Sequence, residues 1–211
     1  MSMNWRLASR LSVVTLAVLV LLVVVLYQQR HTAVPATVSS ANTSASGLQG
    51  TDLGDTPAPG FSLTDQYGKQ VSLSQFKGKP VVLTFMYTSC PDQCPLTAEK
   101  LHSTMQTLGS AAQNVGILAV STDPARDNTA AALKFSMNHQ MQNYWHYLTG
   151  ARNTLVPVWS SYKIYAQADQ QTVNHSLGLF IIDKQGNERV FLDNDFTPVQ
   201  LAADLQMLLK E

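Results

Sequence analysis

Charge is scarce in this chain, and cysteine is scarcer. Lysine and arginine total 14 and aspartate and glutamate 14, so only 13% of residues are charged and the formal net charge is zero. No basic excess draws the chain to a phosphate backbone, so no electrostatic case for nucleic acid exists. Two cysteines, Cys90 and Cys94, are too few to staple a disulfide scaffold but enough for one site. There is no internal repeat. The seven methionines are scattered, which reads as core filler rather than a thioether cluster. The length suits one domain plus extra segments.

The N-terminus shows where part of the 45% hydrophobic content goes. Arg6 and Arg10 precede Leu11 to Tyr27, which carries no charge at all. With its flanks this run reaches ~20 residues, enough for a helix to cross ~30 Å of hydrocarbon. Residues 11–28 are therefore expected to be a transmembrane anchor. A cleaved signal peptide is the alternative, but its apolar region is usually only about 7–15 residues. No small-x-small cleavage site follows directly, and no cysteine is available for a lipid. Arg6, Arg10 and the amino group place residues 1–10 in the cytoplasm and the remainder outside the inner membrane. Residues 29–59 are Ala, Thr, Ser, Gly and Pro with few large apolar side chains. They read as a flexible linker that holds the domain, residues 60–211, off the bilayer.

From residue 60 the pattern becomes that of an α/β domain. Phe61 to Leu73 alternates around Asp65-Gln66-Tyr67-Gly68, a β-hairpin. Val81–Tyr87 and Val115–Ser121 are nearly continuous apolar runs, as in strands buried on both faces. Between them, Pro95 to Ser110 has helical spacing, with Leu96, Leu101, Met105 and Leu108 as its apolar positions. A helix over 129–141, capped by Asn128, follows. Then come a short strand at 146–148, a short helix at 153–162 interrupted by Pro157, a strand at 177–183, a return strand at 190–192 and a closing helix over 197–210. Strand–helix–strand, then an antiparallel hairpin and a last helix, is the thioredoxin-like order.

The stretch Tyr87-Thr88-Ser89-Cys90-Pro91-Asp92-Gln93-Cys94-Pro95 holds both cysteines, spaced C-x-x-x-C between a strand and a helix. Pro95 is read as the first helical residue, where its missing N–H has no partner to lose. Cys94 then lies at the helix N-terminus, whose partial positive charge favours its thiolate. Such a pair can form a disulfide, exchange one, or bind a soft metal. His175 lies 81 residues beyond Cys94 and just before the 177–183 strand. In a thioredoxin-like fold the loop before that strand lies against the dithiol. Redox members usually carry a cis-proline there, and this chain has none. Two thiolates and a neutral imidazole form a three-ligand set suited to Cu(I) or Zn. A structural zinc site would want a fourth ligand.

These residues resemble the Sco/SenC proteins, the copper metallochaperones of cytochrome c oxidase assembly. The matching pieces are Tyr87 to Pro95, the run Val120-Ser-Thr-Asp123-Pro124-Ala-Arg126-Asp127, and Val173-Asn174-His175-Ser176 with the strand after it. The resemblance implies Cys90, Cys94 and His175 as copper ligands, for Cu(I), Cu(II) or both. It implies delivery to the dinuclear copper centre of oxidase subunit II, and in some members a thiol–disulfide role towards that subunit's cysteines. Asn174 departs from the pattern, since many members carry Asp there; the change bears on tuning around the ligand. Loading with Cu(I) needs a reduced pair, hence an extracytoplasmic thiol reductase as partner.

Blander readings stand beside these. The cysteines can be a plain disulfide staple in an oxidising compartment. They can also be the dithiol of a membrane-tethered thiol–disulfide oxidoreductase. A peroxiredoxin version is weak, since Leu83 and Tyr87 stand where that pattern needs Pro and Thr. Asp92 and Asp123 are candidates for groups that tune or dock beside the site; each is also an ordinary turn or cap residue. His31, His102, His139 and His146 have no cysteine near them in sequence and read as surface or packing residues.

Overall fold

The computed structural model describes residues 18–25, 47–169 and 172–211. Residues 18–25 and the chain from residue 47 onward belong to separate units. Residues 18–25 are helical, with exposed side chains. Among the described residues no helix is long and apolar enough to cross a membrane. The rest of the expected anchor at 11–28, the segment 1–10 and most of the expected linker lie outside the described residues.

The second unit is built on a six-stranded sheet. Its strands are β1 (Thr51–Pro57), β4 (Val81–Met86), β5 (Gly116–Ser121), β6 (His146–Leu148), β9 (Leu179–Ile182) and β10 (Asn187–Leu192). A hairpin of β2 (Ser62–Thr64) and β3 (Gln70–Ser72) and a second of β7 (Ala166–Ala168) and β8 (Val173–His175) stand apart as two-stranded sheets. The six strands run in the order β1-β10-β9-β4-β5-β6. β4, β5 and β6 are parallel, whereas β9 runs antiparallel to β4 and β10 to β9. This is the thioredoxin-like arrangement read from the element order.

Every residue of β4, β5 and β9 is buried. Their alternation divides the core in two. Val82, Met86, Ile117, Ala119, Leu179 and Ile181 face one cluster, closed by α1 (Gln93–Leu108), α2 (Thr129–Asn138) and α4 (Pro198–Lys210). Val81, Leu83, Phe85, Leu118, Val120, Phe180 and Ile182 face the other, closed by α3 (Arg152–Ser161) and the β2–β3 hairpin. A strand sandwiched between layers needs apolar residues at odd and even positions alike, so these runs were readable. The cap expected at Asn128 is present, and the closing helix starts at Pro198 with Thr197 as its cap. The Asn128 side chain accepts the Ala131 N–H at 2.9 Å. Thr197 and Gln200 form a reciprocal capping box ahead of Pro198.

Three expectations need correction. α1 begins at Gln93 with Asp92 as its cap, so Pro95 is the third helical residue rather than the first. The first turn still tolerates it, because those N–H groups lack intrahelical partners. Leu96 is 43% exposed and is not a core position of that helix. The domain also starts earlier than residue 60. Leu48 is buried in the main core, and β1 pairs with β10 as the sheet's edge. β1 escaped notice because it is held by backbone pairing: nearly all its side chains are exposed, with a bulge between Asp52 and Thr56.

A tether residue and a core residue respond differently to truncation. Leu48→Ala should lower the unfolding free energy by about 2–5 kcal/mol in urea titrations, as for other buried leucines. A change below about 0.5 kcal/mol would return residues 47–50 to the linker.

Candidate functional site

β4 carries the chain into the middle of the sheet and ends at its C-terminal edge, where open α/β sheets place their sites. Tyr87 remains buried, and the chain turns through Thr88, Ser89 and Cys90 before α1 begins. The Cys90 N–H closes the turn on the Tyr87 carbonyl at 3.3 Å. Cys94, one residue into α1, is 1% exposed, while Cys90 is half-buried. Both thiols are free.

The helix N-terminus acts on the other cysteine from the one expected. The Cys94 N–H, an unpaired amide of the first helical turn, points at the Cys90 sulfur, 3.3 Å away. Cys90 is pulled down to about 5. The largest cause is the Cys94 thiol donating to it, aided by the amides of Cys94 and Asp92 and by the Tyr87 hydroxyl, with burial opposing. Cys94 is pushed up, first by donating its proton to Cys90 and then by burial. The reduced pair is therefore one thiolate and one thiol.

His175 closes the site from the last residue of β8. Its Nε2 lies 4.0 Å from the Cys94 sulfur. Its Nδ1 lies 2.7 Å from the Ser176 carbonyl, which can only accept, so Nδ1 carries the proton and Nε2 presents a lone pair to the sulfur. Burial lowers the pKa of this imidazole and keeps it neutral. A metal ion held at ~2.3 Å from sulfur and ~2.0 Å from nitrogen in trigonal geometry needs about 3.7 Å between them. The Cys94–His175 separation matches that span. Cys90 stands against the Cys94 amide, and among the described residues no three His, Cys, Asp or Glu side chains form a closed metal-holding group. The donors fit a soft, low-coordinate ion, with Cys90 still to converge.

The model of the family described as SCO1/SenC matches residues 50–210, which spans β1 through α4 and every residue of this site. This chain belongs to the SCO1/SenC family. Among its curated relatives is the mitochondrial SCO2 homolog of Bos taurus, 31% identical over 134 residues, which cover 60% of this chain and 50% of that protein. The chain spans about half the length of such relatives. Among solved structures, ScoI of Bradyrhizobium japonicum with copper bound is 30% identical, with a TM-score of 0.67 over 73% of this chain and all of that one. Apo Sco1 of Thermus thermophilus is also 30% identical, with a TM-score of 0.67 over 76% of this chain and 96% of that one.

Within this SCO1/SenC domain, the two acidic candidates sit differently. Asp92 caps α1, and its carboxylate lies 4.0 Å from the Cys90 sulfur. Asp123 is buried behind the site, paired with Arg126. Asn174 pairs with Gln167 across the β7–β8 hairpin and is exposed, so strand alternation turns it away from the face His175 uses. Sequence reasoning assigned no role to Tyr87. Its ring packs edge-on to His175 with centroids 5.6 Å apart, and its hydroxyl accepts the Val173 N–H and donates to Cys90. Its place in the motif beside Cys90 was the available signal, but a buried aromatic after a core strand reads first as packing.

The asymmetry of the two thiols is directly measurable. In the reduced, metal-free chain, iodoacetamide should modify Cys90 at a rate that is flat from pH 6 to 8 and falls as the pH drops through about 5. Cys94 should stay unmodified until the chain unfolds. A Cys90 rate that climbs towards pH 8.5, as an ordinary thiol's does, would contradict this electrostatic reading.

Proposed function

We propose that this protein is a membrane-anchored copper metallochaperone that delivers copper to the dinuclear centre of cytochrome c oxidase subunit II during its assembly. The observation that carries the reading is the His175 ring, turned so that its unprotonated Nε2 faces the Cys94 sulfur at 4.0 Å. A soft-metal carrier needs such a lone pair as a ligand, whereas disulfide exchange can proceed without it. The family membership and the copper-bound relative from Bradyrhizobium japonicum support the same reading. Cys90, Cys94 and His175 are the ligands. Copper here is cargo, and a three-ligand site with one half-exposed donor can pass it on.

The ligands' own protons shape uptake. Cys90 meets the ion as a thiolate, Cys94 gives up its proton, and His175 is already neutral. Acid therefore weakens binding. The apolar run at 11–28 would anchor the chain in the inner membrane with its N-terminus cytoplasmic, and the remainder of the linker would hold the domain on the extracytoplasmic side. A thiol reductase of that compartment would keep the cysteines reduced.

A second reading, a membrane-tethered thiol–disulfide oxidoreductase, draws on one observation. Cys90 is the more accessible thiol and is held as its thiolate, the state that attacks disulfides. Titration of the reduced full chain with Cu(I) against a competing chelator separates the two. His175→Ala should weaken Cu(I) by at least about tenfold, the loss of one ligand. It should leave the rate of exchange with a small disulfide within about threefold. Unchanged copper affinity in the variant would remove the chaperone reading and leave the oxidoreductase.

A further inference from the structure

Behind the cysteine turn sits a carboxylate that neither reading uses. Asp127, between β5 and α2, is 5% exposed and accepts four hydrogen bonds. The Thr88 N–H reaches its Oδ1 at 3.0 Å and the Thr88 hydroxyl reaches the same oxygen at 2.6 Å. The Ser121 hydroxyl, at the end of β5, reaches Oδ2 at 2.6 Å, and the buried Tyr147 hydroxyl of β6 reaches it at 3.1 Å. Among the described residues no basic side chain forms an ion pair with it. Arg126, its neighbour, is turned to Asp123 instead. A buried carboxylate without a cation is expensive unless donors surround it, and here they come from the turn after β4, the end of β5 and the middle of β6.

We infer that Asp127 is the positioning residue of the site: it pins Thr88, two residues before Cys90, and so sets where the Cys90 sulfur lies relative to the α1 N-terminus. Cys90 closes on Tyr87, and Thr88 closes on Asp127. Freed from Asp127, the turn can rotate Cys90 away from the amides of Cys94 and Asp92. The charged group that Thr-Asp-Pro-Ala-Arg-Asp brings to the site is thus its last residue rather than Asp123. Asp123 holds the turn itself, accepting the Arg126 and Asp127 N–H groups at its carbonyl.

The inference rests on the copper reading only for the use made of the positioned thiol, and its test needs no metal. Iodoacetamide is added to the reduced, metal-free full chain at pH 7, and the Cys90 rate is compared across variants. Asp127→Asn should slow Cys90 by about tenfold, since its amide cannot replace the charge-assisted bonds. Thr88→Val, which keeps the backbone bond and loses the hydroxyl, should fall between, and Thr88→Ser should restore the wild-type rate. Tyr147→Phe removes a donor on the β6 side, so it should leave the Cys90 rate within about twofold even as it lowers the unfolding midpoint. A wild-type rate in Asp127→Asn would overturn the inference, and so would equal slowing by Asp127→Asn and Tyr147→Phe. Should Asp127→Asn fail to fold, Thr88→Val decides: slowed supports, unchanged overturns. Loss of His175 dependence in the copper titration would remove the metal reading and leave these rates as they are.

Discussion

The constraint on which the rest depends is the turn that takes a fully buried strand into a helix within a few residues. β4 lies in the centre of the sheet, with β9 on one side and β5 on the other, so its direction is fixed by two ladders. α1 is fixed by packing against the sheet and α4. Between these rigid elements the turn leaves the first helical amides unpaired and aims one of them at a sulfur. Everything distinctive about the dithiol follows from that geometry. One cysteine becomes the acceptor of the helix end, and the other, buried one residue into the helix, becomes its donor.

That division of labour also explains why a histidine can occupy the third corner. Were both thiols ionised, two negative charges would stand beside His175, and the imidazole would be drawn to protonate. With a single thiolate, burial dominates and His175 stays neutral. The Ser176 carbonyl then decides which nitrogen keeps the proton. A backbone acceptor, the placement of β8 and the asymmetry of the thiols together give a lone pair pointing at sulfur. None of these alone would do so.

Much of this was legible in the order of residues because the relevant physics is local. Strands buried on both faces must be apolar throughout, so β4, β5 and β9 announce themselves. Asn128 is a cap residue followed by a helical pattern, and it caps. The convergence of a C-x-x-x-C turn with a distant histidine was readable only through the fold that brings strand ends together. What stayed hidden is held by backbone or by long-range donors. β1 has no buried alternation to read, and the β7–β8 hairpin is a pair of three-residue strands. Which thiol the helix end serves depends on a direction, and composition does not encode directions. Asp127 looked like any acid before a helix, because its partners Thr88, Ser121 and Tyr147 are spread over 60 residues.

The position of Asn174 shows how the site tolerates change beside a ligand. Adjacent residues of a strand point to opposite faces, so a side chain next to His175 in sequence is remote from the sulfurs in space. A carboxylate at that position would add its charge to the exposed face of the β7–β8 hairpin, where solvent screens it. The groups that reach the thiols directly are Tyr87 through its hydroxyl, Asp92 through its backbone amide, and His175 through Nε2. Substitution next to the imidazole is therefore a weaker perturbation than substitution of Tyr87, which touches both the ring of His175 and the sulfur of Cys90. The site is defined by which side chains and amides converge on the turn in space.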